Sequence, residues 1–183
     1  YDDASGAFAA RLWWMLRWLG HGRTLVLDGG FKAWVDAGFA ITTDTPGRSD
    51  AAFAIRPPLT RVVAAPALIR FKGLLLDARD AARYRGDAEP IDALAGHIPG
   101  ALCAPFADNL TPQSNFQPPA ALQQRFQALG VEAVTDVVCY CGSGVTATHN
   151  ILAMVHAGFP EPALYPGSWS EWITDPSHPV ERG

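Results

Sequence analysis

The sequence has no apolar run of the ~18 residues that a membrane-spanning helix needs; its longest candidate, Phe8 to Leu19, is interrupted by Arg11 and Arg17. It has no basic surplus either: 14 Lys and Arg stand against 18 Asp and Glu, a formal net charge of -4. That excludes a field able to gather nucleic acid or anionic lipid, and it leaves any anionic ligand to be held by local groups. Cysteine is scarce, with three residues, at 103, 139 and 141. An odd number in a chain too large to need staples predicts reduced thiols and a cytoplasmic setting. The first residues, Tyr1-Asp-Asp, carry no basic start, apolar h-region or initiator Met, so a cut or processed end is expected rather than a signal peptide. What is present suffices for a core: 183 residues, 49% hydrophobic and 17% charged, predict a soluble folded protein and exclude disorder.

Short apolar strands alternate with helices along the chain. Phe8, Leu12, Leu16 and Leu19 mark a helix over residues 4 to 19 stopped by Gly20, with Trp13, Trp14, Met15 and Trp18 filling its other sides. Thr24 to Leu27 is predicted as a short buried strand and Phe31 to Ala37 as a helix. From Ile41 to Thr60 the composition turns to Thr, Asp, Pro, Gly and Arg, and Pro46, Pro57 and Pro58 break any period, which predicts a linker over 41–60. A second unit, 61–183, then offers strands at Leu74 to Leu76, Ala101 to Cys103 and Val137 to Tyr140. Its helices fall at Pro66 to Phe71, Ala78 to Tyr84, Pro118 to Leu129 and Thr148 to His156. The alternation predicts an α/β fold with a parallel sheet covered on both faces.

The two ends of the chain resemble each other. An offset of 138 residues pairs Gly6 with Gly144, Ala9 with Ala147, Gly20 with Gly158, Gly29 with Gly167 and Trp34 with Trp172. One residue more pairs Tyr1-Asp2 with Tyr140-Cys141. Residues 1–40 therefore read as the carboxyl-terminal part of a truncated copy of the unit at 61–183. Their apolar faces should find a partner: the larger unit, a second chain or an upstream fragment.

Strand Val137-Val-Cys-Tyr140, loop Cys141-Gly-Ser-Gly-Val-Thr-Ala147 and the helix beyond make a strand, glycine loop and helix in succession. Such a loop turns backbone N–H groups inward at the positive end of a helix and favours an anion there. Cys141 stands at the carboxyl end of a strand, where α/β sheets bind ligands, and is the candidate nucleophile. A phosphatase of the Cys-x5-Arg kind would need Arg at 147, where Ala stands. A papain-like peptidase would need Cys at 144 and a His and Asn ~130 to 150 residues downstream. Cys139 and Cys141 lack two further thiols at metal-ligand spacing, and Cys139 is expected in the core. Arg79, after an apolar strand, and Arg85, in the following loop, are candidates for clamping an anion. Glu89 and Asp92 are expected to be solvated, His97 to be structural, and Trp169 and Trp172 to pack.

The loop Cys141-Gly-Ser-Gly-Val-Thr-Ala147 resembles the active-site loop of the rhodanese superfamily, in its tandem-domain sulfurtransferases. Leu76-Asp-Ala-Arg79, Arg83-Tyr-Arg-Gly86, Gly96-His-Ile-Pro-Gly-Ala101 and Gly167-Ser-Trp-Ser-Glu-Trp172 resemble that family's signatures in the family's order. Asp28-Gly-Gly-Phe-Lys-Ala-Trp34 resembles the end of its non-catalytic domain. The resemblance implies a rhodanese-like catalytic domain preceded by part of a degenerate one, with Asp2 opposite Cys141. It implies transfer of a sulfane sulfur from thiosulfate or 3-mercaptopyruvate to cyanide or a thiol, through a persulfide on Cys141, without metal or organic cofactor. Ser143 would belong to a proton relay; Arg79 and Arg85 would bind the donor; and Gly142, Gly144, Val145 and Thr146 would cradle the sulfur by their backbone. A non-enzymatic sulfur carrier or anion-binding module is the alternative.

Overall fold

The computed structural model describes residues 1–45, 47 and 52–183. Its elements run α1 (Ala7–Trp18), α2 (Gly30–Asp36), α3 (Ala65–Leu68), β1 (Leu74–Asp77), α4 (Ala81–Arg85), β2 (Ala101–Cys103), a 3-10 turn (Phe106–Asn109), α5 (Pro119–Ala128), β3 (Val137–Tyr140), α6 (Ala147–His156), β4 (Ala163–Leu164) and α7 (Ser168–Trp172). The four strands form one parallel sheet in the order β2-β1-β3-β4.

The short strands are apolar along most of their length because both faces of the sheet are covered, so each residue must suit a core. Alternation divides them. Leu76, Val137, Cys139 and Leu164 face a core containing Trp13, Trp14, Leu122, Phe126 and Ile151 from α1, α5 and α6. Leu75, Val138, Tyr140 and Ala163 face the other, with Leu68, Ile98, Trp169 and Trp172. Cys139 is fully buried, as its place in the alternation predicts. Burial pushes its thiol pKa far up, and the thiol stays protonated.

Two expectations about the first forty residues fail. The helix at 7 to 18 forms, but Phe8 and Leu12 lie outward at 64% and 58% exposure, while Ala7, Ala10, Trp13 and Trp14 are buried. Small alanines let α1 approach α6 closely, so packing selects a different stripe from the leucine repeat. Residues Thr24 to Leu27 form no strand, and Leu25 is 96% exposed. A strand needs a neighbour, and none pairs with this segment among the described residues. Of the expected linker, 46 and 48–51, Pro46 included, lie outside the described residues. The rest of 41–60 carries no helix or strand, and Arg56 and Leu59 donate their N–H groups to the carbonyls of Leu19 and Arg17 at the end of α1.

The start of α1 is held by one side chain. Asp2 Oδ1 accepts from the N–H groups of Ala4 and Gly6, and Oδ2 from those of Phe8 and Ala9, at 2.8 to 2.9 Å. Partial burial pushes its pKa up, but the four donors outweigh that and leave it below the ordinary carboxylate value. A lowered folded-state pKa means stability that is fully present above the unfolded value of about 4 and is lost as pH falls through the lower folded value. Asp2→Asn should therefore be less stable than the parent at pH 7 and closer to it at pH 2 to 3. Urea midpoints across that range test this; a difference independent of pH would contradict it.

Candidate active site

Strand pairing brings the site together. Asp77 of β1 stands in register with Tyr140 of β3, and Ala78 N–H donates to Tyr140 O at 2.8 Å. The segment after β1 and the loop after β3 consequently leave the same carboxyl edge of the sheet. Between them is a pocket of about 260 Å³. Its walls include Cys141, Gly142, Ser143, Val145 and Thr146 of the glycine loop, Arg79 and Arg83, and Asp92 and Ser170 opposite.

Cys141 is 2% exposed and forms part of the pocket wall. Its N–H donates to Ser168 Oγ, its carbonyl accepts from Trp169 N–H, and the Gly142 carbonyl accepts from Ser170 N–H, so the start of α7 straps the loop from behind. Ser168 adopts φ 56°, a left-handed strain that the strap holds in place. Gly144 has φ 75°, and a Cβ there would come within 2.4 Å of Pro166 O, so only glycine fits. Among the described residues, none of the N–H groups from Gly142 to Ala147 donates to a protein acceptor. Six free donors beside a buried thiol at the start of α6 can hold an anion. Ser143 is exposed at the pocket wall.

The arginines fall differently from expectation. Arg79 lies at the wall but is committed: Nε and Nη2 bond Asp77, Nη2 also bonds the Gly96 carbonyl, and Nη1 bonds Glu89. Its guanidinium carbon lies 4.9 Å from the Trp169 ring centroid, and its side chain is 1% exposed. Burial opposes its charge, but Asp77 and Glu89 outweigh that and raise its pKa. Arg79 thus ties the end of β1 to Glu89 and the Gly96 carbonyl. Arg85 pairs with Asp87, is about half exposed, and is not on the pocket wall. Of the two residues expected to clamp the donor, Arg79 is therefore held by protein acceptors and Arg85 stands off the pocket wall. Glu89 and Asp92, expected in solvent, have side chains only 4% and 9% exposed, because they pair with Arg83.

Arg83 is the arginine the sequence reading missed. Glu89 and Asp92 hold its Nε and Nη2, while Nη1 has no acceptor among the described residues. That nitrogen lies 3.5 Å from where a Gly142 Cβ would be, so its free donors face the cysteine loop. The signal was present in Arg83-Tyr-Arg-Gly86, which offers two arginines without saying which turns inward. His97, as expected, is structural: buried, stacked on Tyr84, with Nδ1 bonded to the Tyr84 carbonyl.

Comparison with known proteins accords with this arrangement. The family model for the rhodanese-like domain matches residues 64–175. The chain belongs to the rhodanese family. It is 51% identical, over its whole length, to 66% of a Pseudomonas aeruginosa protein named "Probable 3-mercaptopyruvate sulfurtransferase". It is 34% identical over 94% of its length to 61% of the thiosulfate sulfurtransferase of Gallus gallus. The chain thus spans about two thirds of the length of these curated relatives or less. Among solved structures, an anaerobic ergothioneine biosynthesis enzyme from Chlorobium limicola, in complex with trimethyl histidine, is similar with a TM-score of 0.87 at 26% identity. That likeness covers all of this chain and 48% of that one.

Arg79→Met should unfold at markedly lower urea, since removing one partner of a buried pair costs about 3–5 kcal/mol. Arg85→Ala, on the surface, should stay within about 0.5 kcal/mol of the parent. Equal midpoints for the two variants would contradict the division of roles.

Proposed function

We propose that this rhodanese-family chain is a sulfurtransferase whose nucleophile is Cys141. One observation carries the reading: a cysteine at the inner wall of a small pocket, beside six unengaged backbone N–H groups. As a thiolate, Cys141 attacks the outer sulfur of an anionic donor. A sulfur–sulfur bond forms to Cys141 and the donor's bond to that sulfur breaks, its electron pair leaving with sulfite or with the enolate of pyruvate. The N–H groups of 142 to 147 hold the anionic persulfide. An acceptor such as cyanide or a thiol then attacks the outer sulfur, and the pair in the sulfur–sulfur bond returns to Cys141. Each step draws on groups of this chain and its substrates alone, with no metal or organic cofactor.

Arg83 takes the part first expected of Arg79 and Arg85. Its Nη1 can donate to the donor's carboxylate or sulfonate while Glu89 and Asp92 fix its orientation. Ser143, exposed at the wall, can pass a proton to the pyruvate enolate, which favours 3-mercaptopyruvate as donor. The Pseudomonas aeruginosa relative's name supports the same preference. Three free thiols suit a reducing, cytoplasm-like compartment.

Residues 1–40 are proposed to belong to a second, degenerate rhodanese-like unit, part of which would lie upstream. At the 138-residue offset α1 corresponds to α6 and α2 to α7. Phe31 N–H donates to Asp2 O as Trp169 N–H donates to Cys141 O. Phe8, Leu12 and Leu25 are exposed on these residues, a face an upstream fragment or second chain would cover. Light scattering and anilinonaphthalene sulfonate fluorescence test this: self-association or dye binding is expected, and a monomer that binds no dye would overturn it.

The activity is tested by thiocyanate formation from 3-mercaptopyruvate or thiosulfate plus cyanide. Cys141→Ser should abolish it, and Arg83→Gln should raise the donor KM by roughly 10-fold or more. Absence of turnover together with no added sulfur on Cys141 by intact mass would defeat the reading. Added sulfur without turnover would favour the carrier.

A further inference from the structure

Arg11 lies in α1, outside the segment matched by the family model, yet it reaches the cysteine loop. Its Nη1 donates to the Gly144 carbonyl at 3.3 Å, and its guanidinium carbon lies 5.2 Å from the centroid of the Trp14 ring. It is half-buried and, among the described residues, pairs with no carboxylate. Among the described residues the other arginines withdrawn from solvent are paired: Arg17 with Glu161, Arg79 with Asp77 and Glu89, Arg83 with Glu89 and Asp92, Arg125 with Asp108. Around the pocket, Arg79 and Arg83 are matched by Asp77, Glu89 and Asp92, and Asp80 adds a further negative charge. The cations on the pocket wall are therefore already neutralised. Among the described residues, Arg11 is the arginine that stands beside the loop without a carboxylate partner.

The opposite contact strengthens the point. The 138-residue offset that aligns α1 with α6 places Arg11 at His149. His149 Nε2 meets the Ser5 carbonyl at 3.2 Å, in the loop that begins α1. The two helices pack together, each reaching the other's loop with the side chain at the same place. The residues differ in charge. His149 is buried, and that burial depresses its pKa to about 4, so it is neutral at pH 7. Its loop encloses Asp2, whose carboxylate is already satisfied by four N–H groups. The loop with a cysteine receives a permanent cation; the loop with its own carboxylate receives a neutral ring.

We propose that Arg11 is a positioning residue for Cys141, supplying from α1 the uncompensated positive charge that favours its thiolate and fixing the loop through the Gly144 carbonyl. The proposal rests on Cys141 being the working nucleophile of the proposed sulfurtransferase, and its test does not require turnover. On the 183-residue chain, alkylation of Cys141 by iodoacetamide is followed by peptide mass across pH 6 to 10, with circular dichroism as the check on folding. The charged and titratable groups around the loop, besides Arg11, are Arg79, Asp80, Arg83 and Asp92 on the pocket wall, Asp77 and Glu89 behind them and the buried Cys139 thiol; only Arg11 is altered. Arg11→Met should slow alkylation at pH 7 by about tenfold, with the gap to the parent closing toward pH 10. Arg11→Lys, which keeps the charge, should restore most of the rate. A folded Arg11→Met whose profile matches the parent would overturn the proposal, as would Arg11→Lys behaving like Arg11→Met. If Arg11→Met does not fold, the comparison of Arg11→Lys with Arg11→Gln decides on the same criterion. Loss of thiocyanate formation in the parent with the alkylation contrast intact would count against the sulfurtransferase reading alone.

Discussion

Asp77 and Tyr140 end adjacent parallel strands in register, and this pairing sets the positions of everything that bears on the pocket. From Asp77 the chain leaves into Arg79 and α4; from Tyr140 it leaves into Cys141 and α6. Asp77 then takes the Arg79 guanidinium, which lies over Trp169, and α7, carrying that tryptophan, straps the cysteine loop through Ser168. A shift of register by one residue would turn the strands' side chains to the wrong faces and part the two loops. The buried ion pair at the sheet edge is costly to assemble and costly to break by halves, so it ties the site's geometry to the folded state.

Charge is distributed with the same economy. This acidic chain leaves the backbone N–H groups of the cysteine loop unengaged and orients a single free edge of one arginine, Arg83, with two carboxylates. The first forty residues show the cradle filled from within: Asp2 takes four N–H groups where the other loop leaves its donors unengaged. An acid there cannot carry sulfur, and it also makes a cation beside it unnecessary. The helix pair α1 and α6 thus joins a loop that is electrostatically closed to one that is open.

Most of the architecture of residues 61–183 was legible in the sequence. Leu74 to Leu76, Ala101 to Cys103 and Val137 to Tyr140 are strands because short apolar runs between turn residues have few alternatives in a covered sheet. The glycine loop with Cys141 was legible because glycines between a strand and a helix mark a turn that needs left-handed φ and close backbone approach, as Gly144 shows. The first forty residues were read less well. Leucine spacing pointed to one face of α1 and packing chose another, since alanines allow a close approach to α6. Thr24 to Leu27 has strand composition without a strand to pair with.

The amino-acid sequence alone determined the kinds of element, the parallel sheet and the residue at the head of the loop, because these follow from local pattern and steric limits. Tertiary structure alone decided which arginines turn toward the cysteine loop. Arg83 and Arg85 are two residues apart on α4, about 200° around the helix, so only one can face the loop. Arg79 is adjacent to the pocket but finds Asp77 and Glu89 within reach first. Arg11 is 130 residues from Cys141 in sequence, and only the packing of α1 on α6 brings them together. Where a long cation ends depends on which carboxylates and carbonyls the fold sets beside it, and no pattern along the chain records that.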